Sequence, residues 1–386
     1  MQVYFDNAAT TKICKEALEV YAQTAEQFFA NPNSAHGLGF AAEQELVRHR
    51  GKIASLLNAP NFEVEFTSSG SAANALAILC AMSRSGGKGQ QRKMLSSLAE
   101  HSSVFNTCSY LTNIGHEVEF VPLNMDGSVN LECLEVAIDE HTALVSLMHV
   151  NNETGVIADI EAIHKIVKSK DARIVLHVDS VAGFGKHSLD MRFVDVLTFA
   201  GHKIGGPKGV GGICYSKAVA PLFDVKADIT GVNTLIRQGT PDLPSAAACA
   251  KAAEIAYSKM QQSAEHVAQI KGYIVQQMRE RDISFAINGE GNVSPYILNM
   301  SFEGVRSETL INSLSSRGVY IAAGASCSSR SADKNILKHY GLSKERAESS
   351  VRLSFAASNT LAEAEHFVGE LEEALKILRK FSKVRK

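Results

Sequence analysis

At 386 residues, with 45% of them hydrophobic and 21% charged, the chain is long enough for a full core and for division into two domains. Its formal net charge of −2 leaves no cationic excess to neutralise a phosphate backbone, which argues against nucleic acid as the principal partner. The most apolar windows, such as ALAILCAM, fall far short of the roughly 20 residues that cross a bilayer, so no membrane partner is expected.

The opening MQVYFDNAATT has no basic segment followed by an apolar one and enters a strand-and-turn pattern at once, so no export signal is expected. The seven cysteines, Cys14, Cys80, Cys108, Cys133, Cys214, Cys249 and Cys327, form no CxxC and are odd in number. That usage suits a reducing cytoplasm better than a disulfide framework. FEVEFTSS reads as a strand running into the apolar helix SAANALAILCAM. EVEFVPL is a strand, LEVAIDEHT a helix, and TALVSLMHV a buried strand. ADIEAIHKIVKSK is helical, ARIVLHVDS and VDVLTFAG are strands, and GVGGICYS is one more. This alternation specifies an α/β fold with a mostly parallel sheet.

After TPDLPSAAACAKAAEIAY the texture changes. Ser245 to about Arg281 reads as largely helical, and the strand-like YILNMSF and VRLSF then alternate with helices around SETLINSLSSR and AEAEHFVGELEEALKILRK. The expected division is a large domain at 13–255 and a smaller α+β domain built from 1–12 and 256–386.

Sheets of this kind place ligands at the carboxyl ends of their strands, and those positions are unusually polar here. TSSGS follows VEF, NNETG follows VSLMHV, DS follows IVLHV, and GHK follows LTFA. Ser71 either caps a helix or gives a hydroxyl to a phosphate at the helix N-terminus. Asp179 is either a turn carboxylate facing water or the partner of a protonated ring nitrogen. His177 shares Asp179's side of the strand and reads as a core histidine with its hydrogen bonds satisfied. Lys203 is either a solvated turn residue or the Schiff-base lysine of pyridoxal phosphate. Cys327, in AAGASCSSRSADKN, is either a structural thiol or a loop nucleophile whose thiolate Arg330 would favour. His101, His149, His177 and His202 lack a compact metal motif, so no metal is expected.

In order along the chain, YFDNAATT, NPNSAH, AEHSSV, HVNNETG, HVDS, GHKIGGPKG, RQGT and AGASCSS resemble the landmarks of the cysteine desulfurases, fold-type-I pyridoxal-phosphate enzymes of the class V aminotransferase superfamily. The resemblance covers essentially the whole chain. It implies that Lys203 carries the cofactor, that Asp179 meets its pyridine nitrogen, and that His101 stacks on its ring. By the same matching, Asn152 lies near the phenolic oxygen and the substrate, Ser71 and His202 hold the phosphate, and Thr240 reaches a phosphate across a dimer interface. Arg352 matches the arginine that holds the substrate carboxylate. Cys327 matches the catalytic cysteine, and its extended loop resembles group I enzymes that pass a persulfide to an acceptor protein.

The implied reaction turns L-cysteine into L-alanine, leaves sulfur as a persulfide on Cys327, and is performed by a homodimer. Iron-sulfur cluster assembly is one use such sulfur serves, and the sequence does not choose between that, RNA modification and other pathways. Ala182 stands where the family commonly has glutamine, and Ala200 where it commonly has serine, so two polar contacts to the cofactor are missing. Another pyridoxal-phosphate lyase acting on sulfur or selenium amino acids, and a noncatalytic scaffold, are the competing readings.

Overall fold

The computed structural model describes residues 1–83, 92–223, 239–289, 291–324 and 336–383. Cys327 and Arg330 lie outside the described residues, as do Arg237 and Gln238 of the RQGT segment.

A short strand, β1 (Val3–Tyr4), and two helices, α1 (Lys15–Gln27) and α2 (Gly37–Leu56), precede the large sheet. Its strands are β2 (Phe62–Thr67), β3 (Lys93–Ser97), β4 (Glu117–Val121), β5 (Thr142–Met148), β6 (Val175–Asp179), β7 (Val196–Ala200) and β8 (Gly211–Ser216), in spatial order β2-β8-β7-β6-β5-β3-β4. β3 to β7 are mutually parallel, and β8 runs antiparallel to both β2 and β7.

Alternate residues of the central strands point into two different apolar layers. Met94, Leu144, Val175 and Val196 pack with Ala73, Ala77 and Ala81 of α3 (Gly70–Ser83) and with Val104 and Leu111 of α4 (Ser102–Asn113). Their neighbours Leu95, Val145, Leu176 and Leu197 pack on the other face. There they meet Leu134 of α5 (Leu131–Ala137), Ile163 and Val167 of α6 (Ile160–Lys170), and Ala250 and Ala253 of α7 (Leu243–Ser258). Burial on both faces is why these strands read as continuous apolar runs rather than alternating ones.

The structure adds one strand, shortens one expected helix and divides another. KMLSS is a strand, β3, although two of its five residues are serines; it is buried throughout, with the Ser96 hydroxyl donating to the Ser146 carbonyl at 3.0 Å. The helix expected through LEVAIDEHT stops at Ala137. Asp139 Oδ1 accepts from the His141 N–H at 2.9 Å and from the Thr142 hydroxyl at 3.1 Å, and this side-chain turn competes with further helix. The helical stretch from Ser245 is two helices, α7 and α8 (Met260–Glu280), separated at Lys259, whose φ and ψ of −114° and 10° leave the helical range.

Beyond α8, strands β9 (Ala286–Asn288), β10 (Ile297–Ser301), β11 (Val319–Tyr320), β12 (Ala322–Ala323) and β13 (Ser350–Ser354) follow. Four of them form an antiparallel sheet in the order β12-β13-β10-β9, while β11 pairs in parallel with β1. The chain start thus joins its last third. Phe5 packs edge-on against Phe355 and Phe367, with ring centroids 5.2 and 5.7 Å apart. Among the described residues, no helix is long and apolar enough to cross a membrane.

Candidate active site

The order of the large sheet reverses between β3 and β5: β4 extends it on one side, while β6 and β7 extend it on the other. Loops leaving the carboxyl ends of strands at such a reversal diverge, and a crevice opens between them. His101 follows β3, Asn152 follows β5, Asp179 ends β6, and Lys203 follows β7. All four line one cavity of about 210 Å³ together with Ser71, His202, Ala182 and Ala200.

Two turns shape its walls. Gly70, the first residue of α3, lies so close to the loop after β6 that an added Cβ would fall 2.8 Å from Val181 Cγ2. Ser69, not Ser71, caps α3, its Oγ accepting from the Ala72 N–H at 3.1 Å, and Ser71 faces the cavity. At the Lys203 turn Gly205 has φ +83°, open to glycine at little cost, and its N–H donates to Thr11 Oγ1 at 2.8 Å. His202 gives its backbone carbonyl to both the N–H and the hydroxyl of Thr11, each at 2.8 Å, so the N-terminal NAATT segment holds this turn in place.

Lys203 donates to the Ala8 carbonyl. Burial, then the neighbouring Arg352 charge, pushes its pKa down to about 8, against Asp179 and Asp6. An amine so placed is available in neutral form near physiological pH. Asp179 is raised by burial, opposed by the Val181 N–H at 2.9 Å, by His101, by the Asn74 amide at 2.6 Å and by Lys203. His202 is pushed down to about 4 by burial and by three nearby lysines, and His101 is lowered chiefly by burial.

Arg352, on β13, is buried and donates through Nη2 to Asp6 Oδ1 at 2.7 Å and through Nη1 to the Asn152 carbonyl at 2.9 Å. Its Nε has no hydrogen-bond partner among the described residues. Thr240 is exposed and lies outside the cavity. It accepts from Asn31 Nδ2 at 3.3 Å and lines a separate groove with Ser68, Ala72 and Asp242. Among the described residues, no three His, Cys, Asp or Glu side chains are placed to hold a metal ion.

Sequence reasoning missed Asn74, Thr198 and Asp6, which bond to Asp179, His177 and Arg352, and the buried carboxyl of Glu100. Asn74 carried a signal, as a polar amide inside an otherwise apolar helix. Glu100, beside His101, is buried; its Oε1 accepts from the Ser97 hydroxyl at 2.8 Å and from the Met148 N–H at 3.0 Å. Burial raises its pKa to about 8, with Asp179 adding to the rise. Between the unfolded carboxyl pKa of about 4.3 and about 8, the folded state holds the extra proton, so this group makes folding progressively less favourable as pH rises through that window. Glu100→Gln should therefore match the wild-type melting temperature at pH 5 and exceed it at pH 8.5, by a free energy of a few kcal/mol at most. Equal melting temperatures at both pH values would show that Glu100 ionises freely in the fold.

The donor set fits pyridoxal phosphate. The N-terminus of the 14-residue α3, the Ser71 hydroxyl and His202 suit a phosphate, Lys203 suits an aldehyde, and the buried Asp179 carboxylate suits a protonated ring nitrogen. Ala200 and Ala182 both line this cavity, and neither side chain offers it a polar group.

Comparison with known proteins agrees with this geometry. Residues 3–367 match the aminotransferase class-V family. The NifS/IcsS protein homolog of Lactobacillus delbrueckii subsp. bulgaricus is 37% identical, with 99% of this chain and 98% of that protein covered. Cysteine desulfurase IscS 1 of Archaeoglobus fulgidus is 31% identical over 98% of both chains. A solved NifS-like protein superposes with a TM-score of 0.87 at 32% identity, covering 98% of this chain and all of that one.

Proposed function

The chain belongs to the aminotransferase class-V family and is a pyridoxal-phosphate-dependent cysteine desulfurase; from that premise we propose that Lys203, Asp179, His101, Arg352 and Cys327 carry its reaction. The observation behind the assignment is that Lys203, Asp179, His101, Asn152, Ser71 and His202, which come from five separate stretches of sequence, line one cavity. When bound, pyridoxal phosphate supplies an aldehyde to engage the amino group of cysteine and a ring that accepts electrons from its α-carbon.

Ser71 and His202 would hold its phosphate, His101 would lie against its ring, and Asp179 would keep its ring nitrogen protonated. Asn152 borders the substrate. Arg352 takes the substrate carboxylate, with Asp6 and the Asn152 carbonyl fixing the guanidinium from the sides it already occupies. Lys203 removes the α-proton at Nζ, a task its lowered pKa suits. The Cys327 thiolate then attacks the substrate sulfur. The new S–S bond forms as the substrate Cβ–S bond breaks, the electron pair left toward Cβ takes a proton, Lys203 returns a proton to Cα, and L-alanine departs, leaving a persulfide on Cys327.

The chain acts as a cytoplasmic homodimer in which Thr240 reaches the neighbouring subunit's phosphate, and its persulfide passes to a separate acceptor protein. The position of Thr240, exposed and away from its own cavity, supports that role. The division into domains at 13–255 and at 1–12 with 256–386 is supported by a single apolar cluster that joins Val3 and Phe5 to residues 267–375.

One experiment tests these assignments together. Size-resolved fractions of the cofactor-loaded protein, supplied with L-cysteine, should form alanine and a protein persulfide in the dimer fraction. Pyruvate without persulfide would replace desulfuration by simple elimination, and full turnover by a cofactor-retaining monomer would remove Thr240 from the site.

A further inference from the structure

Asp179 and His101 reach the cavity from different elements, yet one side chain behind them holds both. Asn74, on α3 and 1% exposed, donates one amide proton to Asp179 Oδ2 at 2.6 Å and the other to Ser103 Oγ at 3.1 Å. Its Oδ1 accepts from the Thr198 hydroxyl. With its proton committed, the Thr198 oxygen accepts from His177 Nε2 at 3.1 Å, so His177 carries its proton on that nitrogen. Nδ1 of His177 then accepts from Ser146 Oγ at 2.8 Å. Burial pushes the His177 pKa down to about 3, which keeps the ring neutral, with one donor and one acceptor. On the second branch, Ser103 Oγ accepts from Asn74 and donates to His101 Nδ1 at 2.8 Å. The Ser103 N–H reaches the same nitrogen at 3.2 Å, so the proton of a neutral His101 sits on Nε2.

The direction of this chain is tied to the charge of Asp179. Turning the Asn74 amide over would set its Oδ1 against Asp179 Oδ2, two acceptors that require a proton between them. With Asp179 ionised, every donor from Ser146 through His177, Thr198 and Asn74 points toward the carboxylate, and the Val181 N–H adds a donor to its other oxygen. The charged or titratable groups around Asp179 are His101 from the start of α4, Lys203 from the turn after β7, and Glu100 from the loop after β3. Asn74 is uncharged and meets the carboxylate directly. A buried amide with all its polar groups used specifies one arrangement, whereas an apolar residue there would leave Asp179, Thr198 and Ser103 short of partners.

We propose that Asn74 is a positioning residue that joins the two faces of the cofactor site: its amide holds Asp179 as an ionised acceptor for the ring nitrogen and, through Ser103, holds His101 in one tautomer. This rests on the reading that Asp179 meets that nitrogen. The buried Thr198 and His177 serve the same end one and two bonds further back.

The test compares binding of pyridoxal phosphate with binding of an analogue carrying C–H in place of the ring nitrogen, using full-length protein stripped of cofactor. Wild-type protein should bind pyridoxal phosphate more tightly than the analogue. Asn74→Ala should weaken pyridoxal phosphate by roughly tenfold or more, the scale of a lost bond to a charged group, and weaken the analogue, which loses only the hold on His101, by a clearly smaller factor. Thr198→Val, which removes only the hydroxyl behind the amide, should act in the same direction by about threefold, and it carries the test if Asn74→Ala does not fold. Equal weakening of both ligands would reduce Asn74 to a structural residue, and no weakening of either would overturn the proposal outright. Wild-type protein that fails to distinguish the two ligands would strike the Asp179 reading itself, a result separate from either variant's.

Discussion

Lys203→Ala is expected to abolish alanine formation from L-cysteine, a loss of roughly 10⁴-fold or more, because the substitution removes both the covalent anchor and the base. The cofactor should still bind, since Ser71, His202, Asp179 and the N-terminus of α3 are untouched. Borohydride reduction separates the two effects: it should fix the cofactor to the wild-type chain at residue 203 and fix nothing to the variant. The variant should also fold. Lys203 has its pKa lowered by burial, which means that its charge is an unfavourable one to enclose, and alanine removes that cost along with the bond to the Ala8 carbonyl. Normal turnover by purified Lys203→Ala would defeat the assignment.

Cys327→Ser is expected to separate substrate binding from sulfur transfer. Lys203, Asp179 and Arg352 remain, so L-cysteine should still change the absorption of the bound cofactor, and α-hydrogen exchange with solvent should continue. What is lost is the attack on the substrate sulfur. A serine hydroxyl is scarcely ionised near neutral pH and is a far poorer nucleophile toward sulfur than a thiolate. Alanine production should fall on the order of 10³-fold or more, the scale of losing a reacting group. Mass spectrometry should find no persulfide at position 327. Alanine released at the normal rate, together with sulfur reaching an acceptor, would show that another group is the nucleophile.

Taken alone, the sequence determined the class of fold and most of the groups that face the cavity. Apolar strands buried on both faces show as continuous runs, and polar residues placed where such runs end stand out against them. HVDS and GHK stand out in this way along the chain, whereas β3, with its two buried serines, does not show as a strand. That omission hides the reversal in strand order between β3 and β5, which opens the crevice and brings His101 toward Asp179 and Lys203. Only the tertiary structure decided which residues support the site. Asp6 meets Arg352 across 346 residues of chain, and Asn74 meets Asp179 across 105, so no local pattern encodes either pair. The physical reason is one of range. Periodicity and turn chemistry act over a few neighbouring residues and can be read along the chain. The partners of buried polar groups are fixed by which strands and helices pack side by side, and that is settled only when the whole core closes.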